Sequence, residues 1–181
     1  MNSEGNGLEG KPARLSRTVL TEIIFPGDTN YHGTLFGGRV MQFIDKVATI
    51  ASMRHSRKAV VTASSDSLDF LAPVKLGEAI QLEAFVTWSH RSSMEVFVRV
   101  ESENLFTGEK KTTATSYLTF VALDDHGQPS PVPAVIPETD EELMLFETAE
   151  ARYEARKQRK AERMSHSNVL QRVDLREDLK K

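Results

Sequence analysis

The stretch Asp28-Thr29-Asn30-Tyr31-His32-Gly33-Thr34-Leu35-Phe36-Gly37-Gly38-Arg39-Val40-Met41-Gln42-Phe43-Ile44-Asp45-Lys46-Val47-Ala48 joins a polar loop, a glycine pair and an apolar run. Val40, Ile44, Val47, Ala48 and Ala51 recur at helical spacing, and Phe43 and Ile50 widen the stripe. The spacing predicts a helix from Gly37 to about Arg54 that is buried on most sides. Gly37-Gly38 opens it with bare backbone, whose first amides have no partner inside the helix and face anything bound there. Asp45 is the single carboxylate within the run.

Around this segment the chain reads as strands. Ser16 to Phe25 is β-branched and apolar and ends at Pro26-Gly27. After the helix, Ala59 to Leu71 is strand-like. Ala79 to Ser89 alternates apolar and polar, and Met94, Val96, Val98 and Val100 repeat the pattern beyond His90-Arg91-Ser92-Ser93. Thr107-Gly108 marks a hairpin turn into a long strand from Lys111 to Leu123. Consecutive strands with short connections pair antiparallel, and a one-sided sheet needs a cover, which the early helix supplies. The expected class is α+β: an antiparallel sheet wrapped around a central helix.

The 181 residues suit one domain with tails. Residues 1–14 are Gly-, Ser- and charge-rich without an apolar core segment and are expected to form a disordered tail; residues 15–127 form the domain. The Pro-rich residues 128–137 are expected to be a linker with no element of its own. Residues 138–181 are expected to be a charged helix and tail, with Leu143, Phe146, Ala149 and Tyr153 as its docking stripe, helical from Glu138 to Met164 and frayed beyond. The net charge of −3 gives no general pull toward nucleic acid or membrane, and acidic residues interleave the basic half of the last helix. No apolar run approaches membrane-spanning length. The absence of cysteine suits a reducing compartment, so a cytoplasmic location is expected.

Serine-hydrolase, zinc-protease, P-loop and dinucleotide signatures are all missing, which leaves the segment from Asn30 to Asp45. At 100° per residue Asp45 lies within about 20° of Gly38, yet seven residues separate them, roughly 10 Å along the axis. That is too far for both to act on one carbonyl. If both are catalytic they serve different sites, as in a two-fold dimer where Asp45 of one subunit meets the helix start of the other. Asp45 is otherwise an exposed helix carboxylate. Its apolar neighbours argue for burial, and desolvation makes a carboxylate a stronger base. His32 is either a loop base or a surface histidine, and Asn30 either a turn or a site residue. Asp28, Asp66 and Asp69 with His32 have no recognisable metal-ligand spacing, so no metal is expected. His90-Arg91-Ser92-Ser93 is either a polar hairpin or, with one cation and two hydroxyls, a phosphate site.

The pattern Pro26-x-Asp28-x-Asn30-x-x-Gly33-x-x-Phe36-Gly37-Gly38, followed by Met41-x-x-x-Asp45, resembles the hotdog-fold acyl-CoA thioesterases of the YciA and brain acyl-CoA hydrolase type. Asp69-Phe70-Leu71-Ala72-Pro73-Val74 with Gly77-Glu78, Arg91-Ser92-Ser93 and Thr119-Phe120-Val121-Ala122 are similar to that family as well, over about Ser16 to Leu123. The resemblance implies a hotdog sheet around the Gly38 helix, dimers with a continuous sheet, and a hexamer built as a trimer of dimers. It implies hydrolysis of acyl-CoA to free acid and CoA with no metal or organic cofactor. The Gly38 amide would polarise the thioester carbonyl, supported by Gly37 and the His32 loop. Asp45 of the partner subunit would be base or nucleophile, Asn30 would orient water or substrate, and Arg91, Ser92 and Ser93 would lie near the CoA phosphates. Two rivals differ in kind: a hotdog dehydratase, which needs a histidine before Phe25-Pro26-Gly27 where Ile24 stands, and a non-catalytic acyl-CoA sensor, which has no use for Asp45.

Overall fold

The computed structural model describes residues 8–178, with side chains described for residues 8–163. It divides into two compact units, Met1–Phe146 and Glu147–Lys181. Residues 1–7 of the expected tail lie outside the described residues.

In the first unit, β2 (Thr18–Ile23), β4 (Ala79–His90), β5 (Ser93–Glu103), β6 (Lys110–Leu123) and β3 (Ala59–Phe70) form one antiparallel sheet in the order β2-β4-β5-β6-β3. Helix α1 (Gly37–Ser56) packs on one face of it. The packing follows from the sequence pattern. Leu82, Ala84 and Val86 of β4 align with Val100, Val98 and Val96 of β5, and Val100, Val96 and Met94 of β5 with Ala114, Leu118 and Phe120 of β6. All are buried in one cluster with Val40, Ile44, Val47, Ala48 and Ala51 of α1. Each such side chain contributes about 1.5–3 kcal/mol by leaving water. The helix stops where Arg57 takes the left-handed conformation at φ 57° and its amide returns to Met53 O at 2.8 Å. The result is the wrapped sheet of a hotdog fold.

Five expectations are corrected. β3 does not pair with β4; it lies beyond β6, because Leu71–Glu78 carries the chain across the sheet before β4 begins. Part of the N-terminal segment is ordered: Lys11–Pro12 forms β1, and Ala13, in a following 3-10 turn, is buried. The Pro-rich segment contributes β7 (Val135–Ile136), parallel to β1, and buries Val132 and Val135. The start of α2 (Asp140–Asp178) buries Glu142 and Leu145 and packs Phe146 on the core as expected, but Leu143 is exposed, so Leu145 takes its place in the stripe. The α2 backbone is helical through Asp178, beyond the expected fraying at Ser165.

The outer face of the sheet is also apolar. Phe85 and Phe97 meet edge to face at 6.0 Å, and Phe97 and Tyr117 at 5.2 Å. Arg17 lies 4.3 Å above the Phe85 ring. The same guanidinium pairs with Glu83 and Glu142, and Arg99 pairs with Glu83 and Glu141, so alternating charges clamp the first turn of α2 against the sheet. Burial opposes charge on Glu142, but the Glu138 amide and Arg17 prevail and hold its carboxyl below the usual range. Among the described residues no helix is long and apolar enough to cross a membrane.

Candidate active site

The loop ahead of α1 is fixed by Asp28 and Asn30. Asp28 takes the Arg39 guanidinium at 2.7 Å and the Phe25 amide at 3.2 Å, and these bonds hold its carboxyl below the usual carboxylate range. Asn30 Oδ1 accepts from the His32 amide at 2.9 Å and the Thr34 amide at 3.3 Å, an Asx turn that closes on Gly33 at φ 72°. Its Nδ2 donates to Thr34 Oγ1 at 3.0 Å. Asn30 is thus a turn residue in this chain. The His32 ring lies tilted against Tyr31, centroids 3.8 Å apart, and its amide ties it into the loop, with no hydrogen bond from its ring to Asp45 among the described residues.

Phe36 caps α1 without a side-chain hydrogen bond, and the first helical amides to return are those of Arg39 and Val40, both to Phe36 O. Among the described residues none accepts from the Gly37 or Gly38 amide, the free donors expected of a helix start. A Cβ on Gly38 would stand 2.7 Å from Phe36 Cε1, and one on Gly37 3.4 Å from Phe70 Cζ. Beside this point opens an apolar cavity of about 390 Å³ lined by Leu35, Gly37, Val40, Phe70, Leu71 and Val74 among others. Free donors therefore border an apolar concavity, the pairing that polarises a carbonyl whose hydrocarbon end avoids water.

Asp45 is not there. It lies on the exposed face of α1, where its Oδ1 accepts from Thr62 Oγ1 of β3 at 2.7 Å. The expected burial of Asp45, and of α1 on most sides, is corrected: Met41, Ile50 and Met53 share that open face. Thr62, the hydroxyl partner of Asp45, is a residue that the sequence reading passed over, since a threonine in a strand raises no question.

Arg91, Ser92 and Ser93 form the β4–β5 turn, with Arg91 at φ 52°. Ser93 Oγ donates to His90 O at 3.0 Å, and Ser92 O accepts from the Ala122 amide at 2.9 Å. Ser93 aligns with Val121, and Val121 with Val61, so the turn shares the Asp45 end of the sheet, two strand spacings or about 10 Å from β3. Among the described residues no three His, Asp or Glu side chains gather as metal ligands.

A sheet curled around a glycine-led helix whose free amides face an apolar cavity defines a hotdog-fold thioesterase. Residues 32–106 match the family model described as the Thioesterase superfamily. The uncharacterized acyl-CoA thioester hydrolase YkhA of Bacillus subtilis is 53% identical over 86% of this chain and 90% of its own length. The chain belongs to the acyl-CoA thioester hydrolase family of that superfamily. The cytosolic acyl coenzyme A thioester hydrolase of Mus musculus is 34% identical over 84% of this chain, which spans 40% of that protein. A solved apo-hexameric acyl-CoA thioesterase superposes with a TM-score of 0.83 at 51% identity, over 85% of this chain and 99% of that one. The Staphylococcus aureus acyl-CoA hydrolase, solved with butyryl coenzyme A and coenzyme A, superposes at 0.85 with 44% identity, over 88% and 98%. That hydrolase has also been solved with an asparagine, an aspartate or a threonine replaced by alanine. The asparagine stands fifteen positions before the aspartate and the threonine seventeen after it, the separations of Asn30, Asp45 and Thr62 here.

Proposed function

We propose that the protein hydrolyses the thioester of acyl-CoA to free carboxylic acid and CoA at a site shared by two subunits. The observation that carries this is the geometry of β3. It is a 12-residue edge strand with Thr62, the partner of Asp45, toward one end and Phe70, the neighbour of Gly37, at the other. Within one chain those ends are about 26 Å apart at 3.3 Å per residue. A long exposed edge invites pairing with a second copy. If that pairing is antiparallel and centred on the strand, Thr62 of one copy falls about three residues, or 10 Å, from Phe70 of the other. Asp45 then arrives at the glycine-led helix start that its own chain keeps out of reach.

In this site the acyl chain enters the cavity beside Gly37 and the thioester oxygen meets the Gly38 amide, at the positive end of the helix. Asp45 of the second subunit, oriented by Thr62, takes a proton from water as its oxygen attacks the thioester carbon. The oxyanion formed is held by the amide; the C–S bond then breaks, and the proton passes to the departing sulfur. An alkyl thiol near pKa 8.5 leaves without strong acid assistance. No cofactor takes part. Asn30 shapes the loop over the carbonyl, and Arg91, Ser92 and Ser93 receive the CoA phosphates. The matching separations of Asn30, Asp45 and Thr62 in the Staphylococcus aureus hydrolase support placing these three at one site. A dimer is the minimum unit, a hexamer the assembly we infer, and the cytoplasm its setting, in keeping with the hexameric and cytosolic relatives.

The test is thiol release from a panel of short, branched and long acyl-CoAs. Turnover by the parent that Asp45→Asn abolishes is expected. Binding of CoA without hydrolysis of any member would instead make the protein an acyl-CoA sensor.

A further inference from the structure

Arg91 is held in a conformation that arginine resists. At φ 52° it occupies the left-handed region, where glycine is at ease and other residues persist only if their surroundings fix them. What fixes it is largely the segment after the sheet. The Val132 amide donates to Arg91 O at 2.9 Å, and the Ser130 amide to Ala122 O at 2.8 Å, next to the Ala122 amide that holds Ser92 O. This strap is itself tied down. Pro133 O accepts from Ser89 Oγ at 2.9 Å and from His55 at 3.0 Å, and since a carbonyl can only accept, His55 Nε2 carries the proton. Lys58 Nζ reaches Ser130 Oγ at 2.6 Å and Pro131 O at 2.8 Å, and the Lys11 amide bonds Ala134 O at 2.8 Å. Val132 and Val135 seal the strap into the apolar cluster.

We propose that residues 130–135 are a positioning strap for CoA recognition, with the Val132 amide holding the Arg91 turn in the geometry that receives the CoA phosphates. This rests on the reading of Arg91, Ser92 and Ser93 as the phosphate site. The strap touches no reacting atom. Its effect belongs to substrate binding rather than to the chemical step, and only to the part of the substrate that carries phosphate.

Val132→Pro removes that N–H together with the buried valine side chain, in a segment that already carries proline on either side, so it is read beside Lys58→Met, which leaves Val132 in place. The KM of Val132→Pro for acyl-CoA is expected to rise about fivefold, the effect of one hydrogen bond, with kcat held. The kinetic constants for the matching acyl-pantetheine, which lacks the nucleotide phosphates, should not change. Lys58→Met, anchored elsewhere on the strap, should give the same split. A general loss of folding would instead lower kcat or active fraction for both substrates alike, and that result overturns the proposal. Arg91→Ala separates the two levels. If it raises KM for acyl-CoA while Val132→Pro and Lys58→Met do not, the phosphate site stands and the strap proposal fails. If Arg91→Ala leaves both substrates unchanged, the phosphate site itself is misplaced.

Discussion

At the scale of single residues, the proposed site depends on a carboxylate held by a hydroxyl: Thr62 donates to one oxygen of Asp45 at 2.7 Å. Asp45→Asn is expected to lower kcat by about 10² to 10⁴, and Thr62→Ala by about tenfold, the loss of one hydrogen bond to a charged group. Thiol-release kinetics on both variants checks the order. Single turnover in water enriched in heavy oxygen tests the role of Asp45: label found in its own carboxylate would mark it as a nucleophile, because a general base sends label only to the released acid. Asp45 and Gly38 were legible as candidates in the sequence because each is out of place in its local pattern, a carboxylate in an apolar run and bare backbone at a helix start. Thr62 was not, since its partner lies 17 residues away and only the fold joins them.

His55 carries a second expectation at this scale. It is fully buried, Nδ1 has no hydrogen-bond partner among the described residues, and burial, reinforced by the Lys11 ammonium, holds its pKa below the ordinary value despite the Pro133 carbonyl. Unfolded chains therefore bind this proton at a higher pH than folded ones. Stability should be at its full value above about pH 6.5 and fall as pH drops from there toward the lowered folded value. Thermal unfolding between pH 7.5 and pH 5 checks this; His55→Gln should flatten the dependence, and an unchanged slope would remove His55 as its source.

At the scale of elements, five strands and the central helix were readable from period and turn chemistry, but the position of β3 was not. A strand's neighbour depends on where its connection leads, and Leu71–Glu78 crosses the sheet. The strap was missed for a related reason. Its bonds come from proline carbonyls and scattered amides, which leave no periodic signal, and Val132 and Val135 are too few to make one. The α2 docking face is set by the buried Glu142, whose side chain is 2% exposed against Arg17. Arg17→Ala should destabilise the fold by about 3 kcal/mol by stranding that carboxylate, and adding Glu142→Leu should recover most of it. Chemical denaturation of the three proteins measures both steps.

At the scale of the whole molecule, α1 exposes Met41, Ile50 and Met53 and β3 exposes Val61 and Phe70, an apolar front beside an open strand edge. In the proposed dimer a second copy covers this front and completes the site, so a verified monomer should be inactive. The most direct measurement is complementation. Asp45→Asn removes the base, and Gly38→Pro removes the amide at a helix position where proline's φ is tolerated and the Phe36 ring can swing aside. Each variant alone should be inactive. In a two-fold pair of the two, one site has both defects and the other neither, so random reassociation should restore about a quarter of parental activity. A mixture that stays as inactive as its components, with mixed dimers shown to have formed, would contradict a site built across the subunits.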